Sequence, residues 1–323
     1  MEESNGKTIS RAEIFSYLGR YGTIIILLAM VLCFIILLPG FRSADNLMNV
    51  LGQTAILCIF SAGMTCCLKM GDFDLSIGAI SAITGIVVSK LLIAGYGLGL
   101  SIFCGVLTGA IIGVANGVLV AYMGLSAFVC TLATMSVILG FAMAVTKGIS
   151  IWNIPEFFAF IGRGDTLGIP NRFIIMFVLL VVIWFIHAYT PTGRRMEAIG
   201  GNPISARLSG INVERNRLLG YIFSGICSSI AGIVLASSIM SSNPTQGTPY
   251  LLDAFGACFI GAATVRIGQF HIWGTFVGVL IVVVAINGLI IMMVPGYLTD
   301  MIKGFILLSA IMLSGTVGKF LKS

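Results

Sequence analysis

FHIWGTFVGVLIVVVAINGLIIMM, residues 270–293, runs for 24 positions without one Asp, Glu, Lys or Arg. As a helix it reaches about 36 Å at about 1.5 Å per residue, enough to cross a hydrocarbon core about 30 Å thick. In lipid the backbone must satisfy its own hydrogen bonds, so an apolar run of this length is read as a helix. Working outward, nine further runs follow the same pattern: 21–39, 47–70, 75–94, 97–122, 126–147, 172–190, 217–240, 252–266 and 299–318. The composition agrees. The chain is 58% hydrophobic and 9% charged, where soluble domains carry about 25% charged residues. Its solvent is expected to be lipid.

The expected fold is therefore all-α integral membrane, with about ten transmembrane helices. A polar tail at 1–20, one polytopic domain at 21–318 and a short tail at 319–323 divide the chain. The start is too polar for a cleaved signal peptide, so the first run stays in the fold. Twelve of the 18 basic residues fall on the side that holds both termini, which the positive-inside rule makes cytoplasmic. The net charge of +6 then marks a membrane face, not a nucleic-acid partner. The run 252–266 is short, and Gly256 and Gly261 are expected to interrupt it as a broken or re-entrant helix. Gly105, Gly109 and Gly113 have the spacing that lets helices approach closely. Asp74, Ser76 and Gly78 at the head of span three echo Asp253 and Gly256 at the head of span eight. Asn116 in span four echoes Asn287 in span nine. These few matches have the form of an inverted repeat of spans 2–5 and 7–10, and chance gives matches of the same number.

The polar exceptions carry the chemistry. In the cytoplasmic loop, about 191–216, the run 193–211 reads GRRMEAIGGNPISARLSGI. Asn202 can cap a short helix, Pro203 suits its first turn and Gly210 its end. Ile204, Leu208 and Ile211 share one face. Such a helix either inserts into a groove on a partner or lies as a basic tether on the membrane surface. Asp74 either bonds a solute hydroxyl or stabilises a broken helix lining the path, or else it caps span three. Asp72 and Asp74 are too close in sequence to form a two-carboxylate protease centre across helices. Asn116 and Asn287 either meet a hydroxylated solute or bond a neighbouring helix. The eight cysteines lie in apolar runs without metal-ligand spacing and read as packing residues. His187 and His271 sit near span ends without a ligand set. Gly6-Lys7-Thr8 mimics the end of a phosphate loop, but the glycine required five residues earlier falls on Met1. No metal, cofactor or ATP site is expected on the chain, and no catalytic set is visible.

The run EAIGGNPISARLSGI resembles the coupling loop of permease subunits from ATP-binding-cassette importers of the ribose/galactoside (monosaccharide) type. GDFDLSIG at 71–78 resembles that family's GGIDLSVG signature, and NPTQGTPYLLDA at 243–254 resembles its outer segment PTAGxxYELDA. The likeness covers residues 45–315. It implies an ATPase subunit, carrying ATP and Mg, docked on Arg194, Arg195, Glu197, Gly200, Gly201, Asn202, Ala206, Arg207, Leu208 and Gly210. It further implies a second permease subunit, identical or not, an extracytoplasmic sugar-binding protein, and a bacterial cytoplasmic (inner) membrane location. Asp74, Ser76, Asn116, Asn287 and Asp253 are the candidate translocation pathway. The chain departs from the family at Asp72, where the signature has glycine, and at 261–271, where GAATVRIGQFH replaces a GGTSxxGG run. The competing reading is an ion-coupled secondary transporter, which needs buried ionisable residues in mid-span. Most spans here have none.

Overall fold

The computed structural model describes residues 11–264 and 268–320. The Gly6–Thr8 run, Arg266 and Lys322 lie outside the described residues. The helices are α1 (Arg11–Leu37), α2 (Ala44–Leu68), α3 (Ile77–Ile93), α4 (Leu98–Gly117), α5 (Ala127–Thr146), α6 (Ala159–Gly162) and α7 (Asn171–Tyr189). There follow α8 (Pro191–Gly201), α9 (Pro203–Leu208), α10 (Val213–Ile239), α11 (Thr248–Ala262), α12 (Ile272–Ile291) and α13 (Gly296–Phe320). A two-residue pair, β1 (Asp165–Thr166) against β2 (Ile169–Pro170), closes the loop before α7. Among the described residues, each expected apolar run contains a helix. Among the described residues, six helices are long and apolar enough to cross a membrane: α2, α4 with its π-helical extension to Tyr122, α5, α7, α10 and α12. α1 starts at Arg11, inside the stretch read from the sequence as the tail at 1–20.

Local signals set the boundaries. Ser43 Oγ accepts the Asn46 amide at 3.2 Å to start α2, and Asn212 Oδ1 accepts the Arg215 amide at 2.8 Å to start α10. His271 Nδ1 accepts the Gly274 amide at 2.8 Å, which makes this histidine the cap of α12. Met240 adopts φ +55° and ends α10. α2 is the axis of the molecule, 83% buried along its apolar window, whereas α4, α5 and α7 are 22% buried. Phe103, Val137, Phe141 and Phe185 on those outer helices are exposed, as lipid-facing side chains are. Cys58, Cys66, Cys227 and Cys258 pack in the central apolar cluster.

Two breaks shape the interior. After α2 the chain turns at Gly71, φ +82°, and runs without regular structure to Asp74 before α3 begins. After α10, Ser242 exchanges backbone hydrogen bonds with Ile151 at 2.8 and 3.1 Å, and α11 begins at Thr248. The two helix starts abut: a Cβ on Gly78 would lie 2.7 Å from the Gly247 carbonyl oxygen. Helix α3 packs on α4, α5 and α10, as α11 packs on α12, α13 and α2. α4 packs on α10 as α12 packs on α2.

The glycine spacing in α4 acts as expected. A Cβ on Gly109 would strike the Gly225 carbonyl oxygen and Ser229 Oγ, and one on Gly113 would strike the Tyr221 carbonyl oxygen. The expected interruption of span eight is corrected. α11 is short, at 15 residues, but continuous through Gly256 and Gly261. Gly261 instead seats the α12 backbone at Gly274, while Gly256 faces open space. The two kinds of glycine predict opposite outcomes. Gly225→Val drives a side chain into the α4 backbone at Gly109 and is expected to cost about 1–3 kcal/mol or more. Gly256→Ala is expected to be neutral or to stabilise by about 0.5–1 kcal/mol. Thermal unfolding of the detergent-purified chain checks both.

Candidate functional site

The loop between α7 and α10 folds as two helices where the sequence reading saw one. Thr190 and Pro191 start α8, and Gly193, Met196 and Ile199 fall on one buried face. Met196 and Ile199 join Met70, Ala206 and Val213 in a small apolar cluster beneath the loop. Arg194, Arg195 and Glu197 lie on the exposed side. Lys69 Nζ reaches Glu197 Oε2 at 3.3 Å, and Gly200 leaves no room for a Cβ against the Lys69 carbonyl oxygen. Asn202 Oδ1 accepts the amides of Ile204 and Ser205 at 2.9 and 3.1 Å, so the expected cap of α9 forms. Gly210 ends the turn at φ +82°, and Gly201 is exposed with open space around it. Arg207 pairs with Glu214. Ala206 faces inward, while Ile204 and Leu208 are 72% and 85% exposed. Ile211 departs from the expected shared face and packs inward beside the Met196 cluster.

The inner side of this loop is bound to the break after α2. Arg217, at the second turn of α10, donates from Nε to Asp72 Oδ2 at 2.7 Å and from its terminal nitrogen to Oδ1. Tyr221 Oη donates to the Phe73 carbonyl at 3.1 Å. Asp74 is fully buried. Its Oδ1 accepts the Ser76 amide at 3.0 Å and the Ser76 hydroxyl at 2.6 Å, and its Oδ2 accepts Ser224 Oγ at 2.6 Å. Asn116 Nδ2 donates to Ser76 Oγ at 2.8 Å, and its buried Oδ1 has no partner among the described residues. Thr131 of α5 takes the Leu75 amide at 3.1 Å. Asp74 thus stands two residues ahead of the α3 cap position and joins it to α10, while Ser76 and Leu75 beside it bring in α4 and α5. Lys69, which pairs with Glu197 of α8, stands five residues before Asp74 on the same break, so α8 and the head of α3 are held to one segment.

The five candidate pathway residues do not form one site. Asp74, Ser76 and Asn116 meet in that node. Asn287 instead exchanges two amide hydrogen bonds with Asn46, at 2.9 and 3.0 Å, clipping α12 to the start of α2. Asp253 stands on the second turn of α11, where Lys303 Nζ of α13 donates to its Oδ2 at 3.0 Å. This corrects the echo between Asp74 and Asp253, because one precedes its helix and the other lies within it. Around Asp253 a cavity of about 340 Å³ is lined by Gln53, Tyr250 and Lys303, among others. Arg217 and Lys303, the partners of Asp72 and Asp253, are not among the residues that the sequence singles out. An isolated lysine inside an apolar helix is the signal that marks Lys303.

Residues 46–311 match the family described as branched-chain amino acid transport system, permease component. The chain is 33% identical over 313 residues to the ribose import permease protein RbsC of Haemophilus influenzae, covering 96% of this chain and 97% of the relative. It is 36% identical over 296 residues to RbsC of Bacillus subtilis, covering 91% and 92%. It belongs to the monosaccharide-type ABC importer permease family. Within that family it is also 30% identical to the D-allose transport system permease protein AlsC of Escherichia coli over 302 residues, 93% of each chain. No solved structure matches. As a permease chain it is a multi-pass membrane protein, and its relatives are transport components, not enzymes.

Proposed function

We propose that the chain is the transmembrane subunit of an ATP-driven importer for a sugar or similar small hydroxylated solute in a bacterial cytoplasmic membrane. The single observation that carries this is the α8–α9 loop. Its inner face is fixed to the α2–α3 break, and its outer face leaves Ile204 and Leu208 exposed. A helix anchored on one side and bare on the other fits the groove of a cytoplasmic ATPase subunit, which would supply ATP and Mg. Ten helical passes, both termini inside, a second permease subunit and an extracytoplasmic binding protein complete the reading. The paired packing of α2–α5 and α10–α13 supports an inverted repeat of these two quartets.

An ion-coupled transporter is disfavoured by the buried carboxylates. Asp72 is neutralised by Arg217 and Asp253 by Lys303. Asp74 is held by three donors. Each is already partnered, where a coupling ion needs an open carboxylate. The test is uptake of labelled D-ribose, D-allose and L-arabinose by cells expressing the chain with an ABC ATPase subunit and a binding protein. Uptake is expected to stop with vanadate and to survive collapse of the proton and sodium gradients. Uptake without the ATPase subunit, or abolished by a protonophore while cellular ATP is held constant, would overturn the proposal.

A further inference from the structure

We infer that the cavity lined by α2, α11, α12 and α13 is a binding site for a neutral polyhydroxylated solute, read by Asp253, Lys303 and Gln53. The inference rests on the importer reading and deepens it. Gln53 lies 16 residues before Lys69 on α2, about 24 Å along the helix from the loop end. The cavity therefore occupies the half of the molecule remote from the ATPase-facing loop, where an incoming solute arrives first. Its volume, about 340 Å³, is at the small end of ligand pockets, which span about 300–1,000 Å³.

Its polar groups select the ligand class. Asp253 and Lys303 lie 3.0 Å apart with side chains 11% and 22% exposed. Together they carry no net charge, so neither a free cation nor a free anion is favoured. They place an acceptor beside a donor at the spacing of two adjacent hydroxyls, one donating to the carboxylate and one accepting from the ammonium. The Gln53 amide adds a second donor and acceptor. Val283 and Leu57 give an apolar wall for the C–H face of a sugar ring. Tyr250 is fixed against Phe60, ring centroids 5.0 Å apart and 16° from parallel, so the wall is built before a ligand enters. A zwitterionic amino acid would have to separate the two charges, whereas a diol bridges them in place.

Saturation-transfer NMR on the full chain in lipid nanodiscs, with D-ribose, D-allose and L-leucine as probes, tests the site. Both sugars are expected to give signal and leucine none. Asp253→Asn and Gln53→Leu are each expected to weaken the sugars at least ten-fold. The exchanged pair, Asp253→Lys with Lys303→Asp, is expected to keep the thermal midpoint and still lose sugar binding ten-fold, which a purely structural clip would not. Unchanged sugar signal in these variants, full recovery in the exchanged pair, or a leucine signal would overturn the proposal. Uptake measured in parallel separates the two readings. ATPase-dependent sugar import by the wild-type chain without mutable binding here removes this site and leaves the importer. No import of any sugar removes both.

Discussion

Arg217→Met is expected to be among the most destabilising single changes in this chain outside its apolar core. It leaves Asp72, 2% exposed, as a buried carboxylate without its counter-charge. Removing one partner of a buried ion pair costs about 3–5 kcal/mol. The converse change, Asp72→Asn, should cost less, because the Arg217 side chain is 30% exposed and its guanidinium can turn to water. Arg217→Lys should fall between, since an ammonium cannot form the two-pronged contact. The double variant Asp72→Asn with Arg217→Met should recover a large part of the loss, because no uncompensated charge remains. Thermal unfolding of all four proteins in detergent, read as a double-mutant cycle, measures the coupling. A loss for Arg217→Met within the ±0.5 kcal/mol of an ordinary surface change would show that the pair does not hold the break to α10.

Much of this architecture could be read from the chain because it rests on local rules. Apolar runs must become helices in lipid, so the helices appear where the runs are. The cap at Asn202 and the stop at Gly210 depend on neighbouring residues alone, and both form as expected. The glycines of α4 fall on one helix face, and that face meets α10. The site was less legible because its partners are far apart in sequence. Asp72 meets Arg217 across 145 positions, and Asp253 meets Lys303 across 50. No local pattern marks such pairs. Gly256 and Gly261 misled for a related reason. Glycine weakens a helix in isolation, but here one glycine is the contact surface for α12 and the other is carried along by packing. The second helix of the loop, α8, was hidden because its three buried positions are a glycine, a methionine and an isoleucine, too few to stand out from a basic surface run.

Leu208→Asp, and more so the pair Ile204→Asp with Leu208→Asp, is expected to abolish ATPase-driven uptake while leaving the permease folded. Both side chains are largely exposed and separated by one helical turn, so replacing them removes little buried apolar area from the chain. Burying a leucine or isoleucine contributes about 1.5–3 kcal/mol, and an aspartate in its place must be desolvated without a partner. A combined loss of about 4 kcal/mol or more corresponds to a Kd about 1,000-fold weaker. The α8 helix supplies the contrast. Met196 is fully buried, so Met196→Asp is expected to lose the fold of the loop together with uptake. Exposed Arg194→Ala should alter the salt dependence of docking more than its strength. Three measurements on each variant separate these cases: thermal midpoint, co-purification with the ATPase subunit, and sugar-stimulated ATP hydrolysis. A normal midpoint with both other signals lost is the outcome expected for Leu208. If Leu208→Asp co-purifies normally and supports wild-type uptake, α9 is a surface tether, and the point of energy transfer lies elsewhere on the chain.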